Sequence, residues 1–176
     1  MGEEWRESPE EPIRVCFVCT GNICRSPMAE KVLERMLAEA GIERAVQVDS
    51  AGTGEWHLRE PMDERAAATL RAAGYDAGGH AARRFQRPWL AERDLVIALD
   101  RSHLAALSRL APESNKLFLL RSFSTEPEDS LDVDDPYYGA TSGFERALAV
   151  IERSCRGLTT QLQAMVEQRR AGPASE

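Results

Sequence analysis

A chain of 176 residues, 43% hydrophobic and 29% charged, is long enough to bury the core of one domain and too short for two comfortable ones. Its net charge of −7 argues against a nucleic-acid surface, which needs clustered Lys and Arg, so any anion must be captured locally. No stretch approaches the roughly 20 apolar residues of a membrane-spanning helix. Four cysteines without a zinc-like Cys/His spacing read as thiols in a reducing compartment rather than as a disulfide framework.

In chain order, residues 1–12 (MGEEWRESPEEP) are acidic, contain proline and lack an apolar h-region. They read as a disordered leader, not a signal peptide, and the expected compartment is the cytoplasm. Ile13 to Val18 is a short apolar, partly β-branched strand. A Gly-containing turn leads into PMAEKVLERMLAEAG, with Pro27 and Gly41 where helices start and stop. Val46 to Asp49 is a second strand, followed by the turn-rich SAGTGEW, and Met62 to Ala73 an Ala-rich helix ending at Gly74. Asp94 to Leu99 is a third, buried strand, Arg101 to Leu110 a helix, and Lys116 to Leu120 a fourth strand. Ser122 to Ser142 is a long loop rich in Asp, Ser, Pro and Gly, of the kind that carries function. Phe144 to about Arg169 is a closing amphipathic helix, and residues 169–176 a C-terminal tail. Such alternation predicts an α/β fold: a single doubly wound domain with a parallel sheet, right-handed crossovers and helices on both faces.

In doubly wound sheets ligands bind beyond the carboxyl ends of the strands, and VCFVCTGNICRSPMAE (residues 15–30) lies there. Gly21 and Asn22 tolerate left-handed backbone, so the loop can curl with its amides inward as an anion nest. The helix that follows adds its free N–H groups and positive dipole end. This is not the ATP-binding loop, which ends Gly-Lys-Ser/Thr. Cys19 and Arg25 form C-x5-R. Helix ends and nearby cations favour the nucleophilic thiolate of a cysteine, and the loop supplies both. Arg25 can fork two hydrogen bonds onto a phosphoryl group, and Ser26 can donate its hydroxyl to the sulfur. Read alone, Cys19 is equally a small buried apolar residue at a strand end.

VCTGNICRSP, SAGTGEWH and DPYYG, in that order and at this length, resemble the low-molecular-weight protein tyrosine phosphatases, particularly the bacterial members. The likeness runs from about Ile13 to the closing helix, so residues 13–168 form the expected phosphatase domain. It implies a four-stranded parallel sheet in the order 2-1-3-4 and a two-step hydrolysis through a cysteinyl-phosphate without metal or cofactor. It also implies that Cys19 is the nucleophile, Arg25 the phosphate clamp and Asp135 the general acid.

Asp135 has an argument of its own. One carboxyl can protonate the leaving phenolate and later deprotonate water. Pro136 biases the residue before it toward extended backbone, giving Asp135 an orientation that its neighbours lack; Asp132 and Asp134 read as a solvated acidic turn. Thr20, Gly21, Asn22, Ile23, Cys24 and Ser26 are the expected substrate-binding loop. Trp56, Tyr137 and Tyr138 are its aromatic walls, suited to stacking on a phenyl ring. By resemblance, relatives acting on phosphoarginine tend to carry a small polar residue at the position of Ile23, so Ile23 favours phosphotyrosine. Resemblance also places Asn22, Ser26, Ser50 and His80 in a supporting hydrogen-bond network and makes Cys24 a reversible disulfide partner of Cys19 under oxidation. Cys16 and Cys155 read as packing residues. Arg83, Arg84 and Arg87 read as a solvated face or a phosphopeptide attractor, and His57 and His103 receive no role.

The expected partners are phosphotyrosine proteins or peptides, with no nucleic acid and no membrane, and the expected state is a monomer. An arginine phosphatase, an arsenate reductase and a non-catalytic redox or phosphate-binding module are the alternatives. The reductase would need resolving cysteines downstream, and none lies between Cys24 and Cys155.

Overall fold

Strands buried on both faces of a parallel sheet need unbroken apolar runs, and the first strand, β1 (Ile13–Cys19), has one: every residue but Arg14 is buried. In this computed structural model, which describes residues 11–172, β1 is followed by α1 (Arg25–Glu39), β2 (Val46–Gly52), α2 (Glu64–Ala72) and α3 (Trp89–Glu92). Then come β3 (Leu95–Ala98), α4 (Arg101–Leu110), β4 (Leu117–Leu119), a 3-10 turn at Leu120–Phe123 and the long α5 (Thr141–Ala171). The strands form one parallel sheet in the order β2-β1-β3-β4. From β1 the chain winds outward to β2, then crosses back to β3 on the other side. The crevice where winding reverses lies at the carboxyl ends of β1 and β3.

Side chains alternate across a strand, so β1 serves two cores. Ile13, Val15, Phe17 and Cys19 pack with Met28, Val32 and Leu33 of α1 and with Phe144, Ile151 and Leu158 of α5. Cys16 and Val18 point the other way, joining Val96, Ala98, Phe85 and Leu107. The leader expected at 1–12 lies, through residue 10, outside the described residues, as do tail residues 173–176. Arg169, Arg170 and Ala171, expected in the tail, are the last turn of α5, where Arg169 bonds the Glu11 carbonyl at 2.9 Å. Among the described residues no helix is long and apolar enough to cross a membrane.

Several boundaries shift by a few residues, and two of them, with one added element, differ from expectation for identifiable reasons. Helix α1 begins at Arg25, not Pro27. Pro27 is its third residue, where the missing N–H would have no intrahelical acceptor in any case. Strand β2 runs on to Gly52, through residues that read as turn formers. Ser50, Ala51 and Gly52 are small because the β1–α1 loop lies against them: a Cβ on Gly52 would stand 2.6 Å from the Thr20 carbonyl oxygen. The short α3 has no periodic signal. Its Trp89 ring is clamped between the guanidinium groups of Arg83 and Arg93, at 4.9 and 4.6 Å.

Gly157 marks the closest approach of α5 to the 3-10 turn, since a Cβ there would fall 1.8 Å from the Phe123 carbonyl oxygen. Gly→Ala inside a helix normally gains about 1 kcal/mol, but forced overpacking costs typically ~1–3 kcal/mol and more against backbone. Gly157→Ala is therefore expected to lower the melting temperature; thermal unfolding that is unchanged or raised would contradict this packing.

Candidate active site

The turn from β1 into α1 is built around Asn22, fully buried and held in the left-handed region at φ 58°. Every polar group of its side chain is used. Nδ2 donates to the Ser26 hydroxyl at 2.8 Å and to the Ser50 hydroxyl at 3.0 Å, and Oδ1 accepts the Arg83 amide at 2.9 Å. Its backbone carbonyl accepts from His80 Nε2 at 2.6 Å. That fixes the His80 tautomer with the proton on Nε2, and burial, which lowers the pKa of His80, keeps the ring neutral. Ser50 reaches on to Glu30, whose carboxyl burial pushes up to about 7. A strained residue persists only when its surroundings over-determine it, and four partners do so here.

With the backbone held this way, the amides of residues 21 to 26 find no backbone acceptor among the described residues. Met28 is the first to bond back, to the Cys24 carbonyl at 3.1 Å. A run of free donors at a helix N-terminus is an anion site by its chemistry. Gly21 lies under the His57 ring: a Cβ there would stand 2.9 Å from it, and the ring would have to shift.

The sulfur of Cys19, only 3% exposed, lies 2.9 Å from the Ser26 hydroxyl. Since Ser26 already accepts from Asn22, its own proton is free to point at the sulfur, nearer than its other acceptor, the Ala51 carbonyl at 3.3 Å. The chain Asn22 to Ser26 to Cys19 thus ends in a hydroxyl at the sulfur. Cys24 is also buried, and desolvation together with the charges of Asp63, Cys19 and Asp135 pushes its thiol up. Cys16 and Cys155 are fully buried in the core.

Arg25, the first residue of α1, has 4% of its side chain exposed. One guanidinium nitrogen donates to Asp100 Oδ2 at 2.8 Å and to the Val133 carbonyl at 2.7 Å. The other faces Asp135 Oδ2 at 3.6 Å and His103 Nε2 at 3.4 Å. Burial works against ionisation of Asp100, but hydrogen bonds from Ser102, the His103 amide and Arg25 hold it down at about 2. His103 is pushed down to about 4 by burial and then by the Arg25 charge, so it is neutral near pH 7. An arginine can only donate, which makes Nε2 the acceptor for Arg25 and for the Thr20 hydroxyl at 2.8 Å, with Nδ1 carrying the proton 3.2 Å from Asp100.

Above these groups opens a cleft of about 400 Å³, with Cys19, Thr20, Gly21, Ile23, Cys24 and Arg25 at its floor and Asp135 at its side. Trp56, Tyr137 and Tyr138 wall it. Trp56 and Tyr138 are largely exposed, 75% and 91%, and the two tyrosine rings meet edge to face at 4.9 Å. The Trp56 ring lies against Gly54, where a Cβ would be 1.8 Å away. Asp135 Oδ1 accepts the Tyr137 amide at 3.1 Å, leaving Oδ2 toward Arg25.

The structure also brings in residues that the sequence did not single out. Asp100 and His103 sit on the first turn of α4, at the carboxyl edge of β3. The one available signal was a charged residue directly after a buried parallel strand, the position from which doubly wound folds reach their ligands. His57, given no role, packs over Gly21, bonds Glu60 at 2.7 Å and lines the cleft. Asp132 is more than a solvated turn residue: it accepts the Arg101 amide at 2.8 Å and pairs with the Arg101 side chain. Of the basic cluster, Arg83 is paired with Asp49 and Arg84 with Glu55.

Comparison with known proteins agrees with this architecture. Residues 14–168 match the family model of the low molecular weight phosphotyrosine protein phosphatases. A low molecular weight protein-tyrosine-phosphatase of Streptomyces coelicolor is 50% identical over 162 residues, 90% of this chain and 98% of its own. Low molecular weight protein-tyrosine phosphatase A of Mycobacterium tuberculosis is 50% identical over 149 residues, 84% of this chain and 90% of its own. The crystal structure of YfkJ from Bacillus subtilis superposes with a TM-score of 0.82 at 36% identity, covering 88% of this chain and 97% of that one. The chain belongs to the low molecular weight phosphotyrosine protein phosphatase family.

Proposed function

We infer that this chain is a protein-tyrosine phosphatase that hydrolyses phosphotyrosine through a cysteinyl-phosphate, with Cys19 as nucleophile, Arg25 as phosphate clamp and Asp135 as general acid. The observation that carries this reading is the stack of three groups in one cleft: a sulfur with a hydroxyl donor at 2.9 Å, the Arg25 guanidinium beside it, and the Asp135 carboxyl 3.6 Å from that guanidinium. The phosphoryl oxygens bind the free loop amides and the outer face of Arg25. The thiolate attacks phosphorus; the S–P bond forms as the P–O bond to the phenol breaks, and Asp135 gives its proton to the departing oxygen. In the second step the Asp135 carboxylate takes a proton from water as that water attacks phosphorus. The S–P bond breaks, inorganic phosphate leaves, and sulfur is again a thiolate.

The aromatic walls favour the phenyl ring of phosphotyrosine over phosphoserine, which has no ring to stack on them. In the full reading the enzyme acts as a cytoplasmic monomer on phosphotyrosine proteins. Ser50 and His80 keep Asn22 in shape, and residues 13–168 are the catalytic domain. Parallel assays with phosphotyrosine, phosphoserine and phosphoarginine peptides test the substrate class; faster turnover of either of the latter would overturn it.

Asp135→Asn is the test of the acid. It is expected to lower kcat/KM for poor leaving groups by about 10²-fold or more, within the range of general acid catalysis. Inhibition by inorganic phosphate should be nearly unchanged, because Oδ2 faces the guanidinium at 3.6 Å without a direct hydrogen bond. Equal rates with wild type on phenyl phosphate would remove Asp135 from the mechanism.

A further inference from the structure

Asp135 stands on a segment with no helix or strand between Ser124 and Ala140, so its distance from the sulfur depends on what ties that segment to the β1–α1 loop. Before Asp135, Val133 is tied to β3 by its amide, at 2.8 Å from the Leu99 carbonyl, and to Arg25 by its carbonyl. After Asp135 the tie is Arg65. Its Nη1 donates to the Tyr137 carbonyl at 3.0 Å, and its guanidinium lies over the rings of Tyr137 and Phe144, at 5.3 and 4.8 Å. The same guanidinium forks onto Asp63, with Nε at 3.1 Å from Oδ1 and Nη2 at 2.9 Å from Oδ2. Asp63 in turn donates its amide to the Ile23 carbonyl, in the anion loop, at 2.9 Å.

The chain is therefore continuous. It runs from the Ile23 carbonyl through Asp63 and Arg65 to the Tyr137 carbonyl, and the amide of that same Tyr137 residue holds Asp135 Oδ1 at 3.1 Å. Asp63, two residues away, caps α2 by accepting the Arg65 amide at 2.8 Å and is a local partner for the guanidinium, but the bond to the Tyr137 carbonyl spans 72 residues. Arg65 is the second residue of α2, in the first turn, where the helix dipole disfavours a cation. A residue that breaks a local rule is often held by a longer-range need. Burial of Asp63 is outweighed by the hydrogen bonds from Arg65, so its carboxyl is held below the usual range and the pair is ionised at neutral pH.

We propose that Arg65 is a positioning residue for the acid step: braced by Asp63, it clamps the segment carrying Asp135 to the phosphate loop and so sets where the Asp135 carboxyl meets the leaving oxygen. The proposal rests on the reading of Asp135 as the general acid. Arg65 is not among the residues lining the cleft, so its removal should act through Asp135 and Tyr137 and leave the phosphate loop itself intact.

The test compares wild type, Arg65→Met, Arg65→Lys and Asp135→Asn on p-nitrophenyl phosphate, whose leaving group needs little protonation, and on phenyl phosphate, whose leaving group needs much. Methionine keeps apolar contact with Phe144 and loses the fork. For Arg65→Met the expected loss in kcat/KM is about tenfold or more on phenyl phosphate and about threefold or less on p-nitrophenyl phosphate, a fraction of the full acid contribution. Inhibition by inorganic phosphate should stay within about twofold. Lysine, with one compact donor group in place of a planar fork, should lose in the same direction by less, and it carries the test if the methionine variant does not fold. Equal losses on both substrates, or none, would mean a structural tie only and overturn the proposal. If Asp135→Asn shows the selective loss and the Arg65 variants do not, this inference falls while the acid assignment stands. If Asp135→Asn shows no selectivity, both fall.

Discussion

Cys19→Ser is expected to reduce turnover of p-nitrophenyl phosphate by about 10⁴-fold or more, on the scale of nucleophile removal in other covalent enzymes, and to eliminate the pre-steady-state burst of p-nitrophenol. The reason is the nucleophilicity of the attacking atom. The free amides of residues 21 to 26 and the Arg25 guanidinium serve the phosphoryl group and remain in the serine variant. Sulfur is intrinsically the stronger nucleophile, whereas a serine hydroxyl needs an adjacent base to attack. Among the described residues the side-chain partner of Cys19 is the Ser26 hydroxyl, which is no general base. The substitution is nearly isosteric at a site 3% exposed, so folding and inorganic phosphate binding should survive. Measurable burst kinetics in the serine variant would refute Cys19 as nucleophile.

Arg25→Lys keeps the charge and is nevertheless expected to lower kcat/KM by about 10²–10³-fold, the magnitude of losing a transition-state donor. One guanidinium nitrogen is already committed to Asp100 and the Val133 carbonyl, at 2.8 and 2.7 Å; the other remains for the phosphoryl group. A single ammonium cannot serve both sides of this fork. If it stays on Asp100 the phosphoryl oxygens lose their clamp, and if it moves to them Asp100, 18% exposed, keeps a charge without its partner. Weaker phosphate inhibition should accompany the rate loss. That separates Arg25→Lys from Asp135→Asn, for which phosphate affinity is expected to hold. A lysine variant with wild-type phosphate inhibition would show that the fork is not what binds the anion.

Much of the site could be read from residues close together in the chain. Cys19, Gly21, Asn22, Arg25, Ser26 and Pro27 lie within one strand-turn-helix, and the demands of that turn on backbone and donors select those residue types. Helix α4 is found at its expected bounds because Asp100 caps it, accepting the His103 amide at 3.0 Å. Pro136 marked Asp135 out from Asp132 and Asp134, and Asp135 alone of the three faces Arg25. The misread end of β2 has its origin in neighbours distant in sequence. Ser50, Ala51 and Gly52 read as turn residues, yet they are strand residues kept small by the backbone of residues 20–22.

What the sequence by itself determined is the local part: an apolar strand, a left-handed turn at Asn22, a helix start with free amides, and a cysteine and an arginine with five residues between them to use them. Tertiary structure alone decided which residues from elsewhere brace that loop: Asp100 and His103 from α4, Glu30 through Ser50, and the Asp63–Arg65 tie to Tyr137. The physical reason is that hydrogen bonds and ion pairs within a few residues follow from backbone geometry and spacing. Those spanning dozens of residues depend on the order of strands in the sheet, which brings the carboxyl ends of β1 and β3 side by side.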